Sequence, residues 1–126
     1  MCAHIKTFKG KISMMIGASM IIEVKTFDTR ATGKDQSCKV LEEAAETYAA
    51  WIDVDECLAW ECPCRDCETD GGRGGCAYKR ALADEIADVV TAACNLAAMY
   101  GLDMGAAMDR CYQRNKARGR YDERGE

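Results

Sequence analysis

The stretch "CKVLEEAAETYAAW", Cys38 to Trp51, sets three glutamates among four alanines and two large aromatics. Leu41, Ala45, Tyr48 and Ile52 recur at helical spacing, which predicts a helix from about Gln36 to Val54 that packs along this stripe. The preceding "TRATGKDQS" is rich in turn formers, and Asp35 or Ser37 would cap the helix. A second helix is expected from about Ala77 to Tyr100, where Leu82, Ile86, Val89, Val90, Ala93, Leu96 and Ala97 form a wide apolar stripe that ends at Gly101. A third runs from about Asp103 to Lys116, followed by the basic, then mixed-charge "ARGRYDERGE".

The expected fold is therefore all-α, an antiparallel helical bundle. A chain of 126 residues suits one domain with a core small enough that a partner subunit completes it. Residues 1–31 read as an arm or a first helix, 32–121 as the helical domain and 122–126 as a tail. Between Asp55 and Cys76 the periodicity stops. "DECLAWECPCRDCETDGGRGGC" holds the single proline, four glycines and five cysteines, and reads as a loop inserted between helices.

Composition excludes several classes. A net charge of −4 and a pI near 5.1 give no basis for a nucleic-acid surface. The apolar run from Ile12 to Ile22 is too short to span a bilayer. It imitates a secretory leader, but Glu23-Val24-Lys25 stands where a small-residue cleavage site belongs. Nine cysteines at irregular spacing would fit a disulfide scaffold. Long helical segments point instead to reduced thiols and a cytoplasmic protein without membrane contact. Cys57, Cys62, Cys64, Cys67 and Cys76 offer enough thiolates for a structural Zn²⁺, although the spacing lacks two clean C-x2-C knuckles. Cys38, Cys94 and Cys111 fall on helices as small packing residues.

The acids carry the chemistry. Glu43 and Glu46 are three apart on one face of the first helix, and that face continues through Lys39 on one side and Ala50 and Val54 on the other. On the second helix Glu85 and Asp88 repeat the spacing, followed by Ala92, Asn95 and Met99. Charges of one sign gathered in a partly buried space repel, so the acids either diverge into solvent or share a cation. An all-oxygen donor set selects Mg²⁺ or Mn²⁺. A di-iron carboxylate bundle needs Glu-x-x-His on two helices, and the single histidine, His4, is remote from either motif.

"EEAAE" at 42–46, "EIAD" at 85–88 and "RNKARGRY" at 114–121 together resemble the MazG-type all-α nucleoside triphosphate pyrophosphohydrolases and their dimeric dUTPase relatives. The resemblance spans roughly Lys25 to Tyr121, with a longer gap between the acidic motifs than the family usually has. It implies a four-helix type of bundle, a homodimer or homotetramer, and Mg²⁺-dependent hydrolysis of a nucleoside triphosphate to monophosphate and pyrophosphate, a nucleotide house-cleaning activity. Glu43, Glu46, Glu85 and Asp88 would hold the metal, with Glu42 supporting the site. Lys39, Asn115, Lys116, Arg118 and Tyr121 would contact the nucleotide, and Asn95 would either read a base or ribose edge or sit as a satisfied buried amide. Either Glu42 or Glu46 would take the water proton. The competing expectation is a non-catalytic helical module whose Cys-rich loop binds zinc and a protein partner.

Overall fold

A computed structural model of the chain describes residues 19–59 and 76–121, the side chains of 58 and 59 excepted. Three helices and no strand occur among the described residues: α1 (Gly33–Ala59), α2 (Ala77–Met99) and α3 (Met104–Ala117). The chain divides into two compact units, Glu23–Met99 and a second to which residues 19–22 and 100–121 belong.

In the first unit α1 starts earlier than the sequence suggests. Thr32 is the cap: its Oγ1 accepts from the Asp35 amide at 3.1 Å and its carbonyl takes the first helical bond, from Gln36, at 2.9 Å. Asp35 instead lies in the first turn, where its charge favours the helix dipole, and Ser37 Oγ donates to the Lys34 carbonyl. The chain reaches this cap through a turn in which Arg30 takes φ of 54°, held by its amide donating to Asp28 Oδ1 at 2.9 Å.

At its other end α1 runs to Ala59, so residues 55–59, expected at the start of the inserted loop, are helical. "DECLA" contains no glycine or proline, and nothing in it stops a helix that is already propagating. Cys62, Cys64, Cys67 and Trp60, with most of the Cys-rich segment and the tail at 122–126, lie outside the described residues. So do residues 1–18.

α1 and α2 are antiparallel. Gln36 near the start of α1 donates through Nε2 to the carbonyl of Ala92 near the end of α2, while Glu43, further along, meets Glu85 and Asp88. The face of α1 turned inward is Gln36, Val40, Glu43, Thr47, Ala50, Val54 and Cys57, each buried or half-buried. These positions alternate four and three apart, the period of a straight seam between two helices. The packing stripe expected from the sequence is rotated away from it: Leu41 is 71% exposed and Tyr48 64% exposed, and Ala45 and Ile52 are also exposed. On α2 the seam takes Leu82, Glu85, Val89, Ala92 and Leu96, with Asn95 and Ala97 also buried, whereas Ile86 and Ala93 face outward. Among the described residues no large side chain is fully buried.

Residues 19–31 have no regular structure, and among them the Phe27 amide donates to Asn95 Oδ1 of α2 at 3.0 Å. Past α2, Gly101 takes φ of 59°, the left-handed conformation that glycine tolerates best after a helix.

In the second unit, Asp103 caps α3 by accepting from the Ala106 amide at 2.9 Å. α3 ends in a Schellman motif: Arg120 donates to the Asn115 carbonyl at 2.9 Å and Gly119, at φ 71°, to that of Lys116 at 3.0 Å.

Candidate metal centre

The site lies on the α1–α2 seam, about three turns into α1. Glu43 occupies a seam position and is 6% exposed, although its chemistry is that of a surface residue. Antiparallel pairing sets Glu85 and Asp88 of α2 opposite it. A carboxylate oxygen from each of Glu43, Glu85 and Asp88 lies within 4.8 Å of the others; Glu85 is half-buried and Asp88 exposed.

Glu46, one turn beyond Glu43, borders this trio without joining it. Its carboxyl hydrogen-bonds Glu43 and feels the charge of Glu85. The hydrogen bond and the charge of Glu43 hold the Glu46 carboxyl above the ordinary glutamate range, so the two acids share a proton more readily than isolated ones. Glu43 shifts the opposite way. Lys39 donates to it and keeps its carboxyl below the ordinary range, and the bond from Glu46 acts in the same direction. Lys39 Nζ stands 2.5 Å from Glu43 Oε1 and 3.7 Å from Glu42 Oε2. The lysine in turn is raised, chiefly by its bond to Glu43. Glu42 is exposed on the far side of Lys39 from the seam.

Thr47 and Gln36 belong to the scaffold of this site and escape a reading based on apolar periodicity. Thr47 Oγ1 donates to the Glu43 carbonyl at 2.9 Å, which lets a β-branched polar residue sit on the seam. Gln36 is buried two turns before Glu43 and locks α1 to α2 through Ala92. A polar residue at each of positions 36, 43 and 47, four or three apart in multiples, was the available signal.

Asn95 is 3% exposed, and its Oδ1 is taken by the Phe27 amide. Of the base-edge role and the buried-amide role, the geometry is that of the buried amide. Asn115, Lys116, Arg118 and Tyr121 belong to the second compact unit. Asn115 Nδ2 lies 3.5 Å from Cys111 Sγ, Lys116 and Arg118 are exposed in the last turn and cap of α3, and Tyr121 is in tilted contact with Tyr112 at 5.0 Å between ring centroids. Tyr48 and Trp51 form a similar pair at 5.7 Å on the outer face of α1. Of the five cysteines that could supply a zinc site, Cys57 and Cys76 are described, and both are buried. Cys38 is exposed, and Cys94 and Cys111 are half-buried.

Compared with protein-family models, with curated proteins and with solved structures, the chain matches none. The trio and its partners therefore stand on their own chemistry. Around one Mg²⁺, opposite oxygen ligands are about 4.2 Å apart and neighbouring ones about 3.0 Å. The three oxygens, within 4.8 Å of one another, would have to draw together by side-chain rotation to share such an ion. The donors are all oxygens, which suits a hard divalent ion.

Proposed function

We propose that this chain is a MazG-like, Mg²⁺-dependent nucleoside triphosphate pyrophosphohydrolase, with Mn²⁺ able to replace Mg²⁺. The observation that carries this reading is the meeting of Glu43, Glu85 and Asp88 across two antiparallel helices, with the central carboxylate buried. The buried Glu43 carboxylate is paired with Lys39, and the two further acids beside it leave negative charge that a divalent ion would offset.

Glu43, Glu85 and Asp88 would hold the metal, with Glu46 at its edge. Bound there, a divalent ion would polarise the phosphoryl oxygens and offset the charge of the leaving pyrophosphate. The protein's own groups divide the remaining work. Glu46, which borders the trio at Glu43, is the better placed of the two candidate bases, Glu42 being exposed beside Lys39. It accepts a proton from water as the water oxygen bonds to phosphorus and the bridging bond between the α and β phosphates breaks. By the resemblance, Asn115, Lys116, Arg118 and Tyr121 would contact the triphosphate, Arg118 by its planar fork and Lys116 as a point charge. The activity fits a cytoplasmic house-cleaning enzyme.

The bundle would be of the four-helix type, completed in a homodimer or homotetramer. Support comes from the outer face of the α1–α2 pair, where Leu41, Tyr48, Trp51 and Ile86 are left exposed. Pyrophosphate release from a panel of deoxynucleoside triphosphates, with and without Mg²⁺, tests the activity. Turnover that requires Mg²⁺ and disappears in Asp88→Asn supports it. Absence of turnover on every triphosphate, with zinc bound to the purified protein, would favour the non-catalytic zinc module.

A further inference from the structure

We propose that Lys39 is a resident counter-ion of the acidic cluster: an arriving divalent cation displaces its ammonium from Glu43 and frees it to bind the phosphates that accompany the metal. This rests on the metal-dependent reading above and adds to it an exchange between two cations.

The structure already holds one cation on the buried carboxylate. Lys39 Nζ lies against Glu43 Oε1, the oxygen-bearing group that is also central to the trio. Glu43 is nearly inaccessible, whereas the Lys39 side chain is half-exposed. The ammonium thus reaches a buried charge from the solvent side on a flexible stem and has open space into which to withdraw. Its order along the helix, lysine before glutamate, is the weaker one for stabilising a helix through an i,i+4 pair. The pairing is better explained by the charge it covers. Three carboxylates within 4.8 Å repel one another, with buried Glu43 the least shielded by water, and a single ammonium offsets one of the three charges.

A divalent ion on the same carboxylate would stand within a few ångströms of that ammonium, and like charges at this range repel. The stronger cation keeps the site. Lys39 then carries a strongly hydrated, compact charge beside the bound metal, where a polyphosphate places its oxygens. One residue would guard the empty cluster and grip the substrate, so that metal and nucleotide each favour binding of the other.

Mn²⁺ binding to the full chain, followed by electron paramagnetic resonance, tests the exchange in wild type, Lys39→Met and Asp88→Asn, with circular dichroism to verify the helices. Methionine keeps the stem and removes the charge. The expected result is that Lys39→Met binds Mn²⁺ on the order of tenfold more tightly than wild type without nucleotide. The same variant should bind a non-hydrolysable triphosphate with Mn²⁺ more weakly than wild type does. Lys39→Gln serves as a second charge-removing variant if methionine perturbs the fold. Equal Mn²⁺ affinity in wild type and Lys39→Met, with Asp88→Asn weakened, would overturn the exchange and leave the metal site standing. No Mn²⁺ binding by any folded form would overturn both.

Discussion

At the scale of single residues, Glu43 and Glu46 show how two chemically identical groups one turn apart acquire opposite tendencies. Glu43 is lowered because Lys39 donates to it, so its ionised form contributes stability above the ordinary glutamate pKa and loses it as pH falls through the lowered value. Glu46 is raised because it faces Glu43; what it contributes is present below the ordinary value and lost as pH rises through the raised one. At neutral pH the ionised Glu46 therefore opposes folding. Glu46→Gln should raise the melting temperature at pH 7, an advantage that shrinks on acidification, while turnover is lost. Calorimetry across pH 4–7 beside a pyrophosphate assay would show a stabilised, inactive protein; a destabilised one would contradict the assignment. Lys39→Met should move the Glu43 carboxyl titration upward, readable from its side-chain ¹³C shift, because the largest cause of the lowering is removed.

Part of this was legible in the sequence. The acids at 43, 46, 85 and 88 could be grouped by helical spacing alone, and the apolar continuation through Ala50 and Val54 marked their face as the inner one. Which acid would be buried could not be read. Burial of Glu43 follows from its falling on the seam, and the seam is set by pairing with α2 rather than by local residue type.

At the scale of elements, helix positions and the bounds of α2 and α3 followed from composition and periodicity, but the packing face and the ends of α1 did not. α1 carries two rows with the same alternation of four and three: Leu41, Ala45, Tyr48, Ile52, and Val40, Glu43, Thr47, Ala50, Val54. The first is the more hydrophobic, and the second is the one that packs against α2. Alanine-rich helices weaken the contrast between faces, so a row of larger apolar groups misleads when those groups are left for another surface. The α1 cap was misplaced because Asp35 and Ser37 are both good capping types, whereas Thr32 is the residue at which the turn through Arg30 ends. Thr32→Ala should cost about 1 kcal/mol in urea denaturation. Asn95→Ala leaves the Phe27 amide without its acceptor and should cost about 1–2 kcal/mol by the same measurement. It should also raise hydrogen exchange at Phe27 more than at the middle of α1. Equal exchange at both would show that the tether contributes nothing locally.

At the scale of the whole molecule, the α1–α2 pair buries small residues and leaves large ones out. Val54, Cys57, Cys76, Ala92 and Ala97 are the buried apolar residues among those described, none of them large. Two helices packed mainly through alanine, valine and cysteine, with Leu82 and Leu96 only half-buried, form a core of the small size that assembly commonly supplements. The exposed Leu41, Tyr48, Trp51 and Ile86 are the side chains a partner would cover. An oligomer should therefore melt at a temperature that rises with protein concentration, and Tyr48→Glu should lower both that temperature and the mass measured by sedimentation. A melting temperature independent of concentration, with a monomeric mass, would refute assembly. No helix among the described residues is long and apolar enough to cross a membrane.

The polar groups along the seam have one further effect. Gln36 meets the Ala92 carbonyl, and Glu43 meets Glu85 and Asp88, only in the present alignment of the two rods. Sliding one rod past the other by a single heptad, roughly 10 Å, would strand the buried amide against hydrocarbon. It would also pull the acids out of reach of each other. An interface of alanine and valine alone would tolerate such slippage, since small apolar groups are interchangeable. The amide works as a ratchet pawl, as buried polar residues do in coiled coils, and the spacing of the carboxylates inherits its accuracy from that notch.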